Sequence, residues 1–148
     1  MKTIFVAAPF YHWIETDEMK LEKKTQIEKL LISLRNKKYK IYNAHEREQW
    51  GDAWLDCNIC TPLDYNEIQE SDIIIAFPGP PTSGGVHIEL GWGSCMQKKI
   101  LLVLQEDIAY SSLVMGLGEI TDVKKIYFKK VNHDLLNDLI LTTIEEWL

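Results

Sequence analysis

Ser83, Gly84 and Gly85 lie between an apolar run that is typical of a strand and a segment with the pattern of a helix. Glycine allows a ligand to approach the backbone closely, and the free N–H groups and dipole of a helix start attract an anion. The three residues therefore predict a binding site for a phosphate or a similar small anion. The Gly-Lys-Ser/Thr of a Walker loop does not follow, and a tight turn without a ligand is the alternative.

Two carboxylates near this loop are candidates for chemistry. Glu89 follows Ser83 by six residues and stands among apolar residues of the predicted helix. A carboxylate in a partly dry pocket is costly unless it is paired or used, although Glu89 could instead serve only the positive start of the helix. Asp64 lies on a short predicted helix and could face the same pocket or favour its own helix start. Two close carboxyl groups can divide acid and base roles between them.

Aromatic and cationic residues could bind the rest of a ligand. Phe10 and Tyr11 follow the first predicted strand and could stack on a pyrimidine, with core packing as the alternative. Arg47 is a candidate contact for a phosphate or a base, because a guanidinium recognises either through paired hydrogen bonds; a solvated charge is the alternative. Trp54 is expected to be a packing or interface residue.

The cysteines form one short motif. Cys57 and Cys60 have the C-x-x-C spacing of a redox pair or of half a zinc site. A zinc site needs further ligands, and neither Cys95 nor any histidine forms a second close pair. We therefore interpret the motif as incidental and expect neither a metal nor a cofactor.

The composition limits the class of protein. The chain has 148 residues, with 16 Lys and Arg against 22 Asp and Glu, for a formal net charge of −6. This acidity argues against a nucleic-acid partner, because such binding needs a basic surface. No apolar stretch is long enough for a membrane span, and the N-terminus lacks the pattern of a secretory signal. We expect a cytoplasmic protein with a single domain over residues 1–148.

Strand-like and helix-like segments alternate along the chain. Apolar or alternating runs predict strands at 3–8, 38–43, 72–77, 100–104 and 125–128. Helices are predicted at 18–35, 62–71, 86–97 and 134–147. This alternation indicates a three-layer α/β domain with a doubly wound, mostly parallel five-stranded sheet of flavodoxin-like or Rossmann-like type. Ligands of such sheets bind outside the carboxyl ends of the strands, which here selects the segments 8–13, 77–85 and 105–112.

Several separate motifs, in the same order along the chain, resemble the nucleoside 2-deoxyribosyltransferase superfamily. This resemblance is carried by Asp64 through Asp72 and by Ser83-Gly-Gly-Val-His-Ile-Glu89-Leu-Gly. More narrowly, the chain is similar to the CMP and 5-hydroxymethyl-CMP N-glycosidases of mildiomycin-, blasticidin- and bacimethrin-type pathways. The motifs of the narrower resemblance are Tyr42-Asn-Ala-His-Glu-Arg-Glu-Gln-Trp-Gly51, Leu63-Asp-Tyr-Asn-Glu-Ile, Ala76-Phe-Pro-Gly79, Gly85-Val-His-Ile-Glu-Leu-Gly-Trp92 and the stretch 106–117.

The resemblance implies roles for individual residues. Glu89 matches the nucleophile that attacks the anomeric carbon of the sugar, and Asp64 matches the group that assists the departing base. Ser83 stands where the transferases that use nucleosides have an acidic residue; a carboxylate there would repel a 5′-phosphate, whereas a hydroxyl and backbone N–H groups would bind it. Family members form dimers with shared active sites, which makes Ser112 a candidate phosphate contact from the partner subunit. Some relatives have a basic residue at the position of Tyr11.

The function implied by this resemblance is hydrolysis of a pyrimidine nucleoside 5′-monophosphate, CMP or 5-hydroxymethyl-CMP. The products are the free base and ribose 5-phosphate, formed through a glutamyl-glycosyl intermediate in which Glu89 reacts as the anion and Asp64 carries the proton. The alternatives within the enzymes are a 2′-deoxynucleoside 5′-monophosphate N-hydrolase and a deoxyribosyltransferase. The alternative of another class is a nucleotide-binding sensor that does not turn over its ligand.

Overall fold

The strands of the computed structural model form one parallel sheet. The structure describes residues 1–10, 17–129 and 133–148. Within these ranges the strands are β1 (Thr3–Ala7), β2 (Lys40–Tyr42), β3 (Ile73–Ala76), β4 (Lys99–Gln105) and β5 (Val123–Phe128). Their spatial order is β2-β1-β3-β4-β5, and each neighbouring pair is parallel. The predicted flavodoxin-like sheet is thereby confirmed.

Helices cover both faces of this sheet, as the prediction of three layers requires. They are α1 (Asp17–Asn36), α2 (Ala44–Arg47), α3 (Cys57–Glu70), α4 (Gly84–Cys95), α5 (Ser112–Met115) and α6 (His133–Glu145). Short 3-10 turns lie at Gln49–Gly51 and Leu117–Glu119. Among the described residues, no helix combines the length and the apolar character that crossing a bilayer would need.

Alternate residues of β1 belong to two separate cores. Ile4 and Val6 pack with α1 and α6 on one face of the sheet. Phe5 and Ala7 pack with α3, α4 and α5 on the other face. Because successive side chains of a strand point to opposite faces, one buried strand holds both helix layers. The loops that follow β1 and β3 therefore start from a rigid, doubly covered part of the sheet.

The helix α4 packs closely on β3 and begins at the carboxyl end of that strand. A Cβ atom on Gly93 would lie 2.2 Å from Cδ1 of Ile74, so glycine permits this close approach. At the other end of the helix, Ser83 is the N-cap, and its Oγ accepts a hydrogen bond from the Val86 N–H at 3.3 Å. These two contacts set both the position and the first turn of α4.

Two helix starts differ by two residues or more from the sequence-based prediction, and the short helices α2 and α5 lie outside the predicted helices. The helix α3 begins at Cys57 rather than at residue 62, because the N–H groups of Ile59 and Cys60 donate to the Asp56 carbonyl at 2.8 and 2.9 Å. Pro62 consequently lies inside the helix, where its missing N–H removes one bond of the ladder without ending it. The helix α4 begins at Gly84, two residues early, and the four-residue helix α2 was not predicted.

Candidate active site

A cavity of about 190 Å³ lies at the carboxyl ends of β1 and β3, where the sheet topology predicts a ligand. It continues into a wider cleft of about 820 Å³ that is bounded by the loop before α4. Residues shared by the cavity and the cleft are Phe10, Trp54, Ser83 and Gly85. The inner cavity is also lined by His45, Glu48, Cys60, Asp64 and Glu89. Residues 83–85, the predicted anion-binding loop (the anion loop), and both predicted carboxylates thus line connected spaces.

The predicted anion loop has unused hydrogen-bond donors. The first helical N–H to reach a carbonyl is that of His87, which donates to Ser83 at 3.2 Å. The N–H groups of Gly84 and Gly85 precede that bond and have no acceptor among the described residues, as is usual at a helix start. A Cβ atom on Gly84 would meet nothing within 4 Å, and one on Gly85 would lie 3.6 Å from Ser83 Oγ. The protein's own packing therefore does not require glycine here, and the absent side chains leave room for a ligand.

Glu89 lines the inner cavity from the second turn of α4. Burial raises the pKa of this carboxyl well above its ordinary value, and the negative charges of Asp64 and Glu67 raise it further. The guanidinium of Arg47 lowers the pKa of Glu89 and offsets only part of this effect. In the free protein Glu89 consequently keeps its proton to a higher pH than an exposed glutamate does.

Asp64 is held in place by Arg47. Nη2 of Arg47 donates to Oδ1 of Asp64 at 2.6 Å, and Nη1 donates to Oε2 of Glu67 at 2.7 Å. Asp64 and Glu67 lie on the same face of α3, three residues apart, and all three side chains are largely buried. Such a paired contact fixes the orientation of a carboxylate as well as its charge.

This contact changes the interpretation of Arg47. The sequence predicts a phosphate or base contact, but the terminal nitrogens of Arg47 are directed at carboxylates. Arg47 is not one of the described residues that line the cavity or the cleft. Its place in the structure is that of a residue that positions Asp64. The cause is the fold of α2, which brings Arg47 against α3 and could not be inferred from the isolated motif.

The charges of the free protein differ from those expected for the reacting enzyme. The sequence-based expectation has Glu89 ionised and Asp64 protonated. In the structure Asp64 is the ion-paired carboxylate, and the raised pKa of Glu89 favours the protonated acid there. The negative charge of Asp64 across the cavity is one cause of this raised pKa of Glu89.

An aromatic wall borders the cavity on the side of β1. The ring of Phe10 is stacked on that of His45, with centroids 4.2 Å apart, and lies 4.8 Å from the ring of Trp54. Nε2 of His45 donates to the Pro9 carbonyl at 2.9 Å, while the Asn43 amide contacts the other ring nitrogen at 3.4 Å. The turn after β1 is thereby fixed with Phe10 at the cavity. Trp54, predicted to be a packing or interface residue, packs against Phe10 and also lines the cavity.

The two remaining predicted residues are Tyr11 and Ser112. Tyr11 lies outside the described residues. Ser112 is exposed at the start of α5 and lines neither the cavity nor the cleft of its own chain. A contact of Ser112 with a ligand would have to be made across to a second subunit.

Sequence reasoning did not select four residues of the site: Glu48, Trp54, Cys60 and Glu67. Two of them carried a usable signal, because Cys60 and Glu67 lie four residues before and three residues after Asp64, on the same helix face. Cys57 is exposed, and Cys60 is the half of the C-x-x-C motif that reaches the cavity. In the described part of the chain, no group of three or more His, Cys, Asp or Glu side chains is arranged to hold a metal ion.

Comparison with known proteins identifies relatives through their structures. Neither a scan of protein-family models nor a search of curated proteins gives a match. The structure of the CMP N-glycosidase BcmB from Clostridium botulinum is 34% identical, over 94% of this chain and 98% of that chain, with a TM-score of 0.73. The solution structure of BlsM is also 34% identical, over 93% of this chain and 85% of that chain, with a TM-score of 0.77.

A third structure extends the likeness of fold alone. A conserved protein from Enterococcus faecalis V583 is 15% identical, over 97% of this chain and 99% of that chain, with a TM-score of 0.65. The chain has a flavodoxin-like sheet with two carboxyl groups lining one cavity at its carboxyl edge, and its 34% identity to BcmB identifies it as an N-glycosyl hydrolase. At 34% identity over nearly the whole length of both chains, the protein belongs to the CMP N-glycosidase family.

The burial of Glu89 predicts a stability cost that depends on pH. A carboxyl whose pKa is raised by folding binds its proton more tightly in the folded state, so stability falls as pH rises from the ordinary glutamate pKa through the raised one. We expect Glu89→Gln to have a higher urea midpoint than the wild type at pH 8, and the difference to vanish near pH 4. Urea denaturation across this range measures the effect.

Glu119→Gln is the matched control, because Glu119 is exposed and distant in the fold from the cavity. It should follow the wild-type pH dependence throughout. A Glu89→Gln variant that also follows the wild-type curve, or that is less stable than the wild type at pH 8, would contradict the burial of this carboxyl.

Proposed function

We propose that the protein hydrolyses the N-glycosidic bond of a pyrimidine nucleoside 5′-monophosphate, CMP or 5-hydroxymethyl-CMP, to the free base and ribose 5-phosphate. The observation that carries the proposal is that Ser83, Asp64 and Glu89 line one cavity. A nucleotide presents a phosphate, an anomeric carbon and a base. Ser83 offers an anion site for the phosphate, Glu89 a nucleophile for the anomeric carbon and Asp64 an acid for the base. The similarity to the CMP N-glycosidase BcmB supports this choice of substrate.

The first chemical step forms a covalent intermediate. An oxygen of the Glu89 carboxylate attacks C1′, the bond between C1′ and the base nitrogen breaks, and the electron pair of that bond leaves with the base. Asp64 supplies the proton that neutralises the departing base. Positive charge develops on the sugar ring in the transition state and is stabilised by the anion of Glu89.

The second step releases the sugar. A water molecule attacks C1′ and transfers a proton to Asp64, while Glu89 leaves as a carboxylate. Two displacements at the same carbon retain its configuration. Both steps use Asp64 in one fixed orientation, and its hydrogen bond to Arg47 at 2.6 Å provides that orientation.

The proton of the carboxyl pair has to move before the first step. Burial raises the pKa of Glu89 and so favours the proton on Glu89 in the free protein. We propose that the proton passes to Asp64 in the substrate complex, since the positive charge that develops on the sugar favours the anion of Glu89 and the leaving base needs an acid. The same proton then departs with the base, so the charges of the site balance over the step.

The phosphate is proposed to bind at the start of α4. The Ser83 hydroxyl accepts from Val86 and can still donate its own proton, and the N–H groups of Gly84 and Gly85 lie beside it. This set of donors favours a nucleotide over a nucleoside. The outer cleft, which Ser83, Gly84 and Gly85 also line, provides the room for the phosphate.

We further propose that the protein acts as a homodimer in which subunits complete each other's sites. Ser112 is exposed and lines neither the cavity nor the cleft of its own chain. The neighbouring Leu113 is 83% exposed, and Ile88, beside Glu89 on α4, is 55% exposed. Large apolar side chains with this exposure support a covered surface in the assembled protein.

The activity is tested by incubating the protein with a panel of ribonucleoside and 2′-deoxyribonucleoside 5′-monophosphates, with 5-hydroxymethyl-CMP included, and measuring the released base by chromatography. We expect free cytosine or its 5-hydroxymethyl derivative from the ribonucleotides, and none from Glu89→Gln. Faster release from the deoxyribonucleotides would favour the deoxynucleotide N-hydrolase. Tight binding of CMP without any base release would favour the sensor and contradict the proposal.

The phosphate site is tested by Ser83→Asp. Aspartate is as good an N-cap as serine, so the fold of α4 is kept, while the added charge repels a 5′-phosphate. We expect kcat/KM for CMP to fall by at least about tenfold, equivalent to about 1.4 kcal/mol, with no comparable fall for cytidine. Steady-state assays on both substrates measure the ratio. An equal fall for CMP and cytidine would place the phosphate elsewhere.

A further inference from the structure

Glu48 is a third carboxylate in the inner cavity, and the proposed reaction does not use it. It directly follows α2, is only 4% exposed, and lines the cavity together with Phe10 and Trp54. Its position is therefore that of a polar group at the end of an aromatic-walled recess. A carboxylate in such surroundings is costly unless hydrogen bonds satisfy it.

The described part of the chain does not supply those hydrogen bonds. The closest cation to the Glu48 carboxylate is Nη2 of Arg47, at 3.8 Å from Oε1, which is beyond hydrogen-bond distance. That nitrogen instead donates to Asp64. The cation offsets part of the charge of Glu48, but neither carboxylate oxygen has a hydrogen-bond donor among the described residues. A buried acceptor that faces a cavity is placed to accept from a ligand.

The strand order places Glu48 opposite the anion loop. Glu48 comes from the segment after β2, whereas Ser83 comes from the loop after β3, and β1 lies between these two strands. The outer cleft is lined by Ser83 and not by Glu48. A nucleotide whose phosphate lies at Ser83 and whose anomeric carbon lies at Glu89 would extend its base toward Glu48.

We propose that Glu48 reads the base by accepting a hydrogen bond from the exocyclic amine of cytosine. The 4-amino group of cytosine is a donor, and a carboxylate is its natural acceptor. Uracil has a carbonyl oxygen at the same position, which would face the carboxylate with no proton between them. The site thus selects aminopyrimidine nucleotides and rejects UMP. This inference rests on the proposed function, since it assigns the base to the inner cavity.

The magnitude of the discrimination follows from the type of contact. A site that is built to hydrogen-bond one group rejects an analogue without it by as much as about 10⁴-fold, because the buried partner is then left unpaired. We expect the wild-type protein to prefer CMP over UMP by at least about 100-fold in kcat/KM. Phe10 and Trp54 would contact both bases alike and contribute little to this preference.

The test is Glu48→Gln, assayed with CMP and UMP. A glutamine amide can donate to the carbonyl of uracil, so the variant should lose activity on CMP, gain activity on UMP and lower the CMP/UMP ratio by at least about tenfold, or 1.4 kcal/mol. Glu46→Gln is the matched control, because Glu46 is on the same short helix, is paired with Arg35 and lies outside the cavity. Its ratio should equal that of the wild type.

Other outcomes overturn the inference. A wild type that hydrolyses CMP and UMP equally, or a Glu48→Gln variant that loses both activities in the same proportion, would assign Glu48 a purely structural role beside Arg47. Glu48→Asp keeps the acceptor and should keep the order of preference at a lower rate, which gives a second variant if Glu48→Gln does not fold.

Failure of the proposed function would be distinguishable from failure of this inference. If the wild type hydrolyses no nucleotide, the proposed function fails, and titration calorimetry with CMP and UMP decides the role of Glu48. Tighter binding of CMP that is lost in Glu48→Gln supports the inference, and equal binding of the two nucleotides contradicts it.

Discussion

The burial of the Glu89 carboxyl beside Asp64 is the constraint on which the rest of the site depends. Burial raises the pKa of Glu89, and the negative charges of Asp64 and Glu67 raise it further. Arg47 holds the other member of the pair through a hydrogen bond of 2.6 Å. The burial of Glu89 lowers the stability of the fold slightly, and the carboxyl groups of Glu89 and Asp64 face the same cavity.

The sheet order explains how distant segments supply this arrangement. Parallel strands bring their carboxyl ends to one edge, so the loop after β1 carries Phe10 and the loop after β3 carries Ser83. The helix α4 continues from that loop with Glu89, and α3 packs beside it with Asp64. The loop before α4, two carboxyl groups and an aromatic wall thus line one cavity, although they come from separate parts of the chain.

Sequence reasoning identified what depends on local pattern. The buried runs of β1 and β3, the glycines before α4 and the apolar surroundings of Glu89 are visible without a structure. The place of Glu48 in the cavity and the contacts of Arg47 are not visible in this way, because α2 spans only four residues and its contacts reach α3 across the fold. The early start of α3 at Cys57 was also missed, since Pro62 resembled a first-turn residue while lying inside the helix. Long-range ion pairs and helix starts of this kind depend on packing that a local pattern does not contain.

The central claim is that Glu89 becomes covalently bound to the sugar while the base departs. Mass spectrometry of protein quenched in acid during turnover of CMP, followed by peptide mapping, tests it most directly. We predict a mass increase of one ribosyl 5-phosphate on the peptide that contains Glu89, and no such increase in Glu89→Gln. Release of cytosine from protein that stays unmodified at every quench time, or an adduct on a different residue, would contradict the claim.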